Sequence, residues 1–167
     1  AGIDRALALL DGAGLRLGIG AAKADAGQVT RTADLPAGDA PLHFDGAAPV
    51  AAQLRDGPVR DLNLMTRRGV WRQRMSPHRL AAGQALQHRS SAACQLWLCH
   101  EGSLRVATAD DDHSFELGAL DALRADAASR ADAAAGATAI DWRLHAASPC
   151  TAWFIELDPV EPDAPMR

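Results

Sequence analysis

Short runs of alternating apolar and polar residues, each closed by glycine, aspartate or proline, recur from one end of this chain to the other. A period of two is the signature of a half-buried strand, whose successive side chains point to opposite faces. Ile3, Leu7 and Leu9 share one face of the first run, with Asp4, Ala6 and Ala8 on the other. Asp11-Gly12-Ala13-Gly14 follows as a reversal able to supply positive φ, and Leu15, Leu17 and Ile19 alternate beyond it, so residues 3–19 are expected to form a β-hairpin. Leu42-His43-Phe44 closes at Asp45-Gly46, Val50 to Leu54 at Asp56-Gly57-Pro58, Val59 to Thr66 near Gly69, and Val70 to Met75 at Ser76-Pro77. Cys94 to Cys99 closes at Glu101-Gly102 and Ser103 to Thr108 at Asp110-Asp111-Asp112. Ala139 to His145 and Thr151 to Leu157 complete the series, the latter stopped by Asp158-Pro159. Strands this short and evenly spaced predict an all-β fold, an antiparallel sandwich or barrel.

One stretch departs from the pattern. Gly118 to Ala137 is rich in alanine, aspartate and arginine, which favours helix by propensity. Leu120 and Leu123 are followed by nothing larger than alanine until Ile140, so a helix there would bury little. A strand with polar turns is the expectation, with a helix as the alternative. Glu161 to Arg167, with two prolines, reads as a frayed tail.

Composition removes whole classes of function. With 167 residues, 48% of them hydrophobic and 23% charged, the chain suits one globular domain. A net charge of -4 and the absence of tyrosine argue against nucleic acid, which wants a basic surface and aromatic platforms. Apolar runs such as Ala6 to Leu10 are far shorter than the roughly 20 residues a membrane helix needs. A cytoplasmic protein without nucleic-acid or membrane partners is expected. Cys94, Cys99 and Cys150 match neither a redox pair nor a zinc knuckle, and are expected to be buried reduced thiols.

The six histidines form neither H-x-H nor H-E-x-x-H, no serine sits in a nucleophile elbow, and no phosphate loop is present. His100 and His113 are expected to be solvated turn residues, and neither a metal nor a cofactor is expected. The densest polar segment runs from Gly57 to Gly69. As a strand, residues 59–66 put Asp61, Asn63 and Met65 on one face and Arg60, Leu62, Leu64 and Thr66 on the other. Asp61 and Asn63 then either meet solvent and loop backbone or line the mouth of a barrel and fix a small polar ligand.

Gly2-Ile3-Asp4-Arg5, Leu9-Leu10-Asp11-Gly12-Ala13-Gly14-Leu15-Arg16-Leu17, Leu42-His43-Phe44-Asp45-Gly46, Pro49-Val50 and above all Gly57-Pro58-Val59-Arg60-Asp61-Leu62-Asn63-Leu64-Met65-Thr66-Arg67-Arg68-Gly69 resemble the HutD/Ves family. The likeness is close over residues 2–69. Beyond them, Trp97 to Gly102 and Leu117 to Leu123 match in outline. The resemblance implies a cupin-like (RmlC-like) β fold in a two-barrel, bicupin arrangement, with β-barrel halves at about residues 1–90 and 91–160, and an association with bacterial histidine utilisation. It implies no catalytic activity, a metal-free barrel, and binding of a small acidic intermediate such as formylglutamate or urocanate. It also implies a segment before Ala1, with a tryptophan-lysine-asparagine-glycine-glycine stretch, a threonine-arginine pair and a first strand, which would contribute to the pocket.

Arg5, Arg60, Asp61 and Asn63 are the candidate ligand contacts, arginine offering a donor fork to a carboxylate and asparagine both a donor and an acceptor. Asp61 would repel an anion and is expected to hold an arginine in position. The competing functions are a metal-independent lyase or isomerase using Asp61 or His43 as acid-base group, and a structural module that binds nothing. Association as a homodimer is left open.

Overall fold

In the computed structural model, residues 2–20, 29–109, 113–126 and 139–160 are described. They form fourteen strands and no helix, and the chain divides into two compact units: Ala1–Arg72 with Val160–Arg167, and Gln73–Pro159. The all-β expectation is met. No described helix is long and apolar enough to cross a membrane.

The first unit holds β1 (Ile3–Asp11), β2 (Leu15–Gly20), β3 (Val29–Leu35), β4 (Leu42–Asp45), β5 (Val50–Leu54) and β6 (Arg60–Arg67). They assemble into two three-stranded antiparallel sheets, β4-β1-β6 and β3-β2-β5. The expected hairpin over residues 3–19 is therefore corrected. Both strands exist, but β1 pairs with β4 and β6 while β2 pairs with β3 and β5, so Asp11–Gly14 carries the chain from one sheet to the other. The reason is burial: Leu7 and Leu9 meet Leu15, Leu17, Ile19 and Leu35 in one core, which a flat two-stranded ribbon would leave open. Gly12 turns this corner at φ +109°, where a Cβ would lie 2.8 Å from the Pro58 carbonyl oxygen. Ala6, Ala8 and Leu10 are buried too, so β1 is covered on both faces.

The second unit opens with β7 (Trp71–Leu80), which begins at the end of the first, and continues through β8 (Ala85–Ser90), β9 (Cys94–Glu101), β10 (Leu104–Thr108), β11 (Ser114–Leu117), β12 (Ala122–Asp126), β13 (Ile140–His145) and β14 (Cys150–Pro159). Two four-stranded sheets result, β11-β10-β13-β8 and β12-β9-β14-β7. β7 does not stop at Ser76-Pro77 as expected but runs to Leu80. It is an edge strand, where a residue without an N–H is tolerated. In the ambiguous stretch, Ala122–Asp126 is a strand, and residues 127–137 lie outside the described residues, as do residues 110–112 and the tail from 161. The core is built around Trp97, Trp142, Phe154, Leu104, Val106 and Leu144. Cys94, Cys99 and Cys150 are free and buried. Cys99 and Cys150 sit with sulfurs 3.9 Å apart, and burial pushes the Cys99 thiol up to about 12.

Candidate functional site

The register of β1 against β6 decides what the polar segment does. Arg5 lies opposite Met65, Leu7 opposite Asn63 and Leu9 opposite Asp61, so these six residues share a face, and it is the face that carries the core of the first unit. Asp61, Asn63 and Met65 thus occupy one face together, as their spacing requires. On β4, Leu42 and Phe44 lie opposite Leu7 and Arg5 and share that face, whereas His43 lies opposite Ala6 on the other.

Arg5 and Asn63, 58 residues apart in sequence, meet there. Arg5 Nε donates to Asn63 Oδ1 at 2.9 Å, and the guanidinium carbon stands 5.2 Å from the centroid of the Phe44 ring. The cation is thus positioned by a neutral acceptor and an aromatic face. Among the described residues no carboxylate lies within ion-pair reach of it. Other arginines of this unit are held by acids: Arg68 bridges Asp4 and Asp45, and Arg16 and Arg55 share Asp34. With Nε engaged, both terminal nitrogens of Arg5 remain as an end-on fork for a carboxylate.

Arg60 is not brought to this place. A bulge between Leu9 and Asp11 sets Asp11 opposite Arg60, and the two form an exposed ion pair at 3.3 Å on the face away from Asn63. Asp61 holds no arginine, contrary to the role expected of it. Its exposed carboxylate has no hydrogen bond or ion pair among the described residues, because the strand that presents it turns Arg60 the other way. Met65, 59% exposed, extends the open end of the face beside Arg5. Phe44 is the contact that the four candidate residues lack, although its alternation with His43 places it with Leu42.

A shallow depression of about 250 Å³ lies on the outer side of β2 and β5, lined by Arg16, Gln53, Leu54 and Arg55. Its two cations are already committed to Asp34, whose carboxyl they hold down at about 2.

The interior of the second unit carries a separate cluster that sequence spacing did not reveal. His78 from β7 and His88 from β8 approach with ring centroids 5.5 Å apart, both edge-on to Trp97 at 5.0 and 5.4 Å, and His88 also against Phe154 at 4.3 Å. The two strands belong to different sheets, so no same-strand motif could announce the pair. The Ser76 hydroxyl is 3.3 Å from His78 Nε2. Beside them Ser90 donates to Glu156 at 2.5 Å, and Arg74 links Glu156 and Asp158. Burial alone would raise the Glu156 carboxyl, but Ser90 and Arg74 together hold it below its usual range. His100, expected in a solvated turn, is buried at 8% exposure because it lies within β9; His113 is exposed. Among the described residues no group of three or more His, Cys, Asp or Glu is arranged to hold a metal ion.

Burial lowers both imidazoles from their ordinary value of 6.5; the neighbouring His88 lowers His78 further, and Glu156 partly offsets the effect on His88. The unfolded chain therefore takes up these protons first, so the stability the neutral rings contribute is full above about pH 6.5 and falls as pH drops through the folded-state values. Urea denaturation at pH 7.5, 6.5 and 5.5 is expected to show declining stability in the wild type and a flatter profile for His78→Asn/His88→Asn. Equal slopes in the two proteins would refute this.

The HutD family model matches residues 1–143 of the sequence. Among solved structures, a conserved protein of unknown function from Pseudomonas aeruginosa PAO1 is similar at 26% identity and a TM-score of 0.76, over 95% of this chain and 71% of its own. HutD from Pseudomonas fluorescens SBW25, in its formate condition, is similar at 22% identity and a TM-score of 0.64, over 95% of this chain and 70% of its own. A cupin 2 conserved barrel domain protein from Leptotrichia buccalis shares the fold at 13% identity and a TM-score of 0.50, over 93% and 74%. No curated protein sequence matches. The fold is all-β and cupin-like.

Proposed function

Since the chain belongs to the HutD family, the cupin-like proteins associated with bacterial histidine utilisation, we propose that it is a cytoplasmic binding protein and not an enzyme, taking the carboxylate of a small acidic metabolite on Arg5 and Asn63. Formylglutamate- or urocanate-like acids of that pathway are the candidate ligands. The observation that carries the reading is Arg5, a half-buried guanidinium on the core-bearing face of its sheet, held by Asn63 and Phe44 and lacking a counter-charge among the described residues. An arginine so placed has already lost its side-chain freedom, which lowers the cost of accepting an anion. The acid-base alternative gains little support from His43, which lies on the opposite face, and Asp61 lacks a partner to tune it.

Isothermal titration of the full chain with formylglutamate and with urocanate tests the proposal. Binding is expected for at least one of them. Arg5→Ala should weaken it by about 1–3 kcal/mol, roughly 5- to 150-fold. Arg16→Ala, on the outer face of the other sheet, should leave it unchanged. Absence of heat with every pathway acid, or turnover of either compound followed by absorbance, would overturn the reading.

A further inference from the structure

On the reading that Arg5 takes a carboxylate, we infer that the site selects a bipolar ligand, one whose far end presents a cationic or N–H-donating nitrogen to the carboxylate of Asp61. The first unit holds two opposite charges on one face without letting them meet. Asp61 and Asn63 stand two positions apart on β6, about 7 Å at the rise of an extended strand. Arg5 starts still further along, opposite Met65, and leans back only as far as Asn63, whose Oδ1 fixes its Nε. The guanidinium is thereby set at the level of Asn63, beyond the roughly 4 Å that an ion pair to Asp61 needs.

Each charge would ordinarily find a neighbour. Instead the bulge at the end of β1 assigns Arg60 to Asp11, on the other face, and leaves the Asp61 carboxylate without a hydrogen bond or ion pair among the described residues. The Arg5 donors and the Asn63 amide at one end, and an acceptor two strand positions or about 7 Å further along, describe a complementary molecule: a carboxylate joined by a short spacer to an ammonium, imidazole or amide nitrogen. A dicarboxylate of the same length would set its second anion against Asp61 and is selected against, so of the two candidate acids this inference favours the urocanate-like one, with its imidazole, over formylglutamate.

Three isosteric probes separate these outcomes: 5-aminopentanoate, pentanoate and glutarate, titrated calorimetrically into the full chain. The amino acid is expected to bind about tenfold or more tightly than pentanoate, with glutarate weakest, and the preference to shrink as salt rises. Asp61→Asn, an exposed position with no partner to lose, should retain the fold by circular dichroism and bring the three affinities within about twofold of one another. Arg5→Ala should weaken all three together. Equal binding of the three by the wild type, tighter binding of glutarate, or an unchanged preference in Asp61→Asn overturns the bipolar ligand while leaving the carboxylate site standing. Binding insensitive to Arg5→Ala, or none at all, overturns the carboxylate site and the bipolar ligand with it.

Discussion

Trp97→Ala is expected to destabilise the second unit by about 3–5 kcal/mol, a large share of the stability of a domain this size. Trp97 has no exposed surface and stands at the centre of the core, tilted against Phe154 at 4.4 Å with both His78 and His88 edge-on to it. Removing the indole opens a cavity between two sheets whose strands are fixed by their ladders, so the walls have little freedom to close it. The two imidazoles would lose the ring that orients them, and the pH profile of the variant should change along with its midpoint. Trp97→Phe is the informative companion. The Trp97 Nε1 is buried without a hydrogen-bond partner among the described residues, so phenylalanine removes an uncompensated donor while it keeps most of the apolar contact. It should cost less than half as much. A loss under about 1 kcal/mol for Trp97→Ala, read from urea denaturation, would show that the indole is not central to the core.

What the sequence could and could not say about this fold follows from the physics of strands. Alternation reports which face a side chain takes, and on that question Asp61, Asn63 and Met65 are placed together by the strand as their spacing requires. It says nothing about which strand lies alongside. The same Leu7, Leu9, Leu15 and Leu17 would suit a hairpin, and only the need to enclose them turns Asp11–Gly14 into a corner between sheets. β3 is illegible in the sequence for the opposite reason: Val29 to Asp34 is almost wholly exposed and owes its extended form to backbone pairing with β2, which leaves little trace in hydrophobicity. β8, with Gln87, His88 and Arg89, is similarly polar, and β11 is only four residues long. The two sites divide along the same line. Arg5 and Asn63 are legible from their chemistry, but Phe44 at one end and the isolation of Asp61 depend on register and on a bulge. The His78–His88 pair arises across two sheets, from residues whose separation fits no local motif.

The second large effect is expected at Gln95, a fully buried polar residue inside the same core. Its Oε1 accepts from Trp142 Nε1 at 2.6 Å, while its Nε2 donates to the backbone carbonyls of Ser90 and Ala92 at 3.1 and 3.0 Å. One amide therefore satisfies an indole on β13, the carbonyl that ends β8 and one carbonyl of the loop between β8 and β9, groups buried away from water. Gln95→Leu keeps the volume but strands all three. At about 1–3 kcal/mol for each buried group left unpaired, with some relaxation of the loop, a loss of about 3–5 kcal/mol is expected. Leucine is the more apolar residue, so an increase in stability would mean that these bonds contribute less than burial itself. Trp142→Phe discriminates further, because it removes the donor together with its need. In the Gln95→Leu background the indole N–H is already unpaired, and the second substitution should cost less there than in the wild type, by about 1–2 kcal/mol of coupling. Additive losses in this double-mutant cycle would show that the Gln95–Trp142 contact carries no energy of its own.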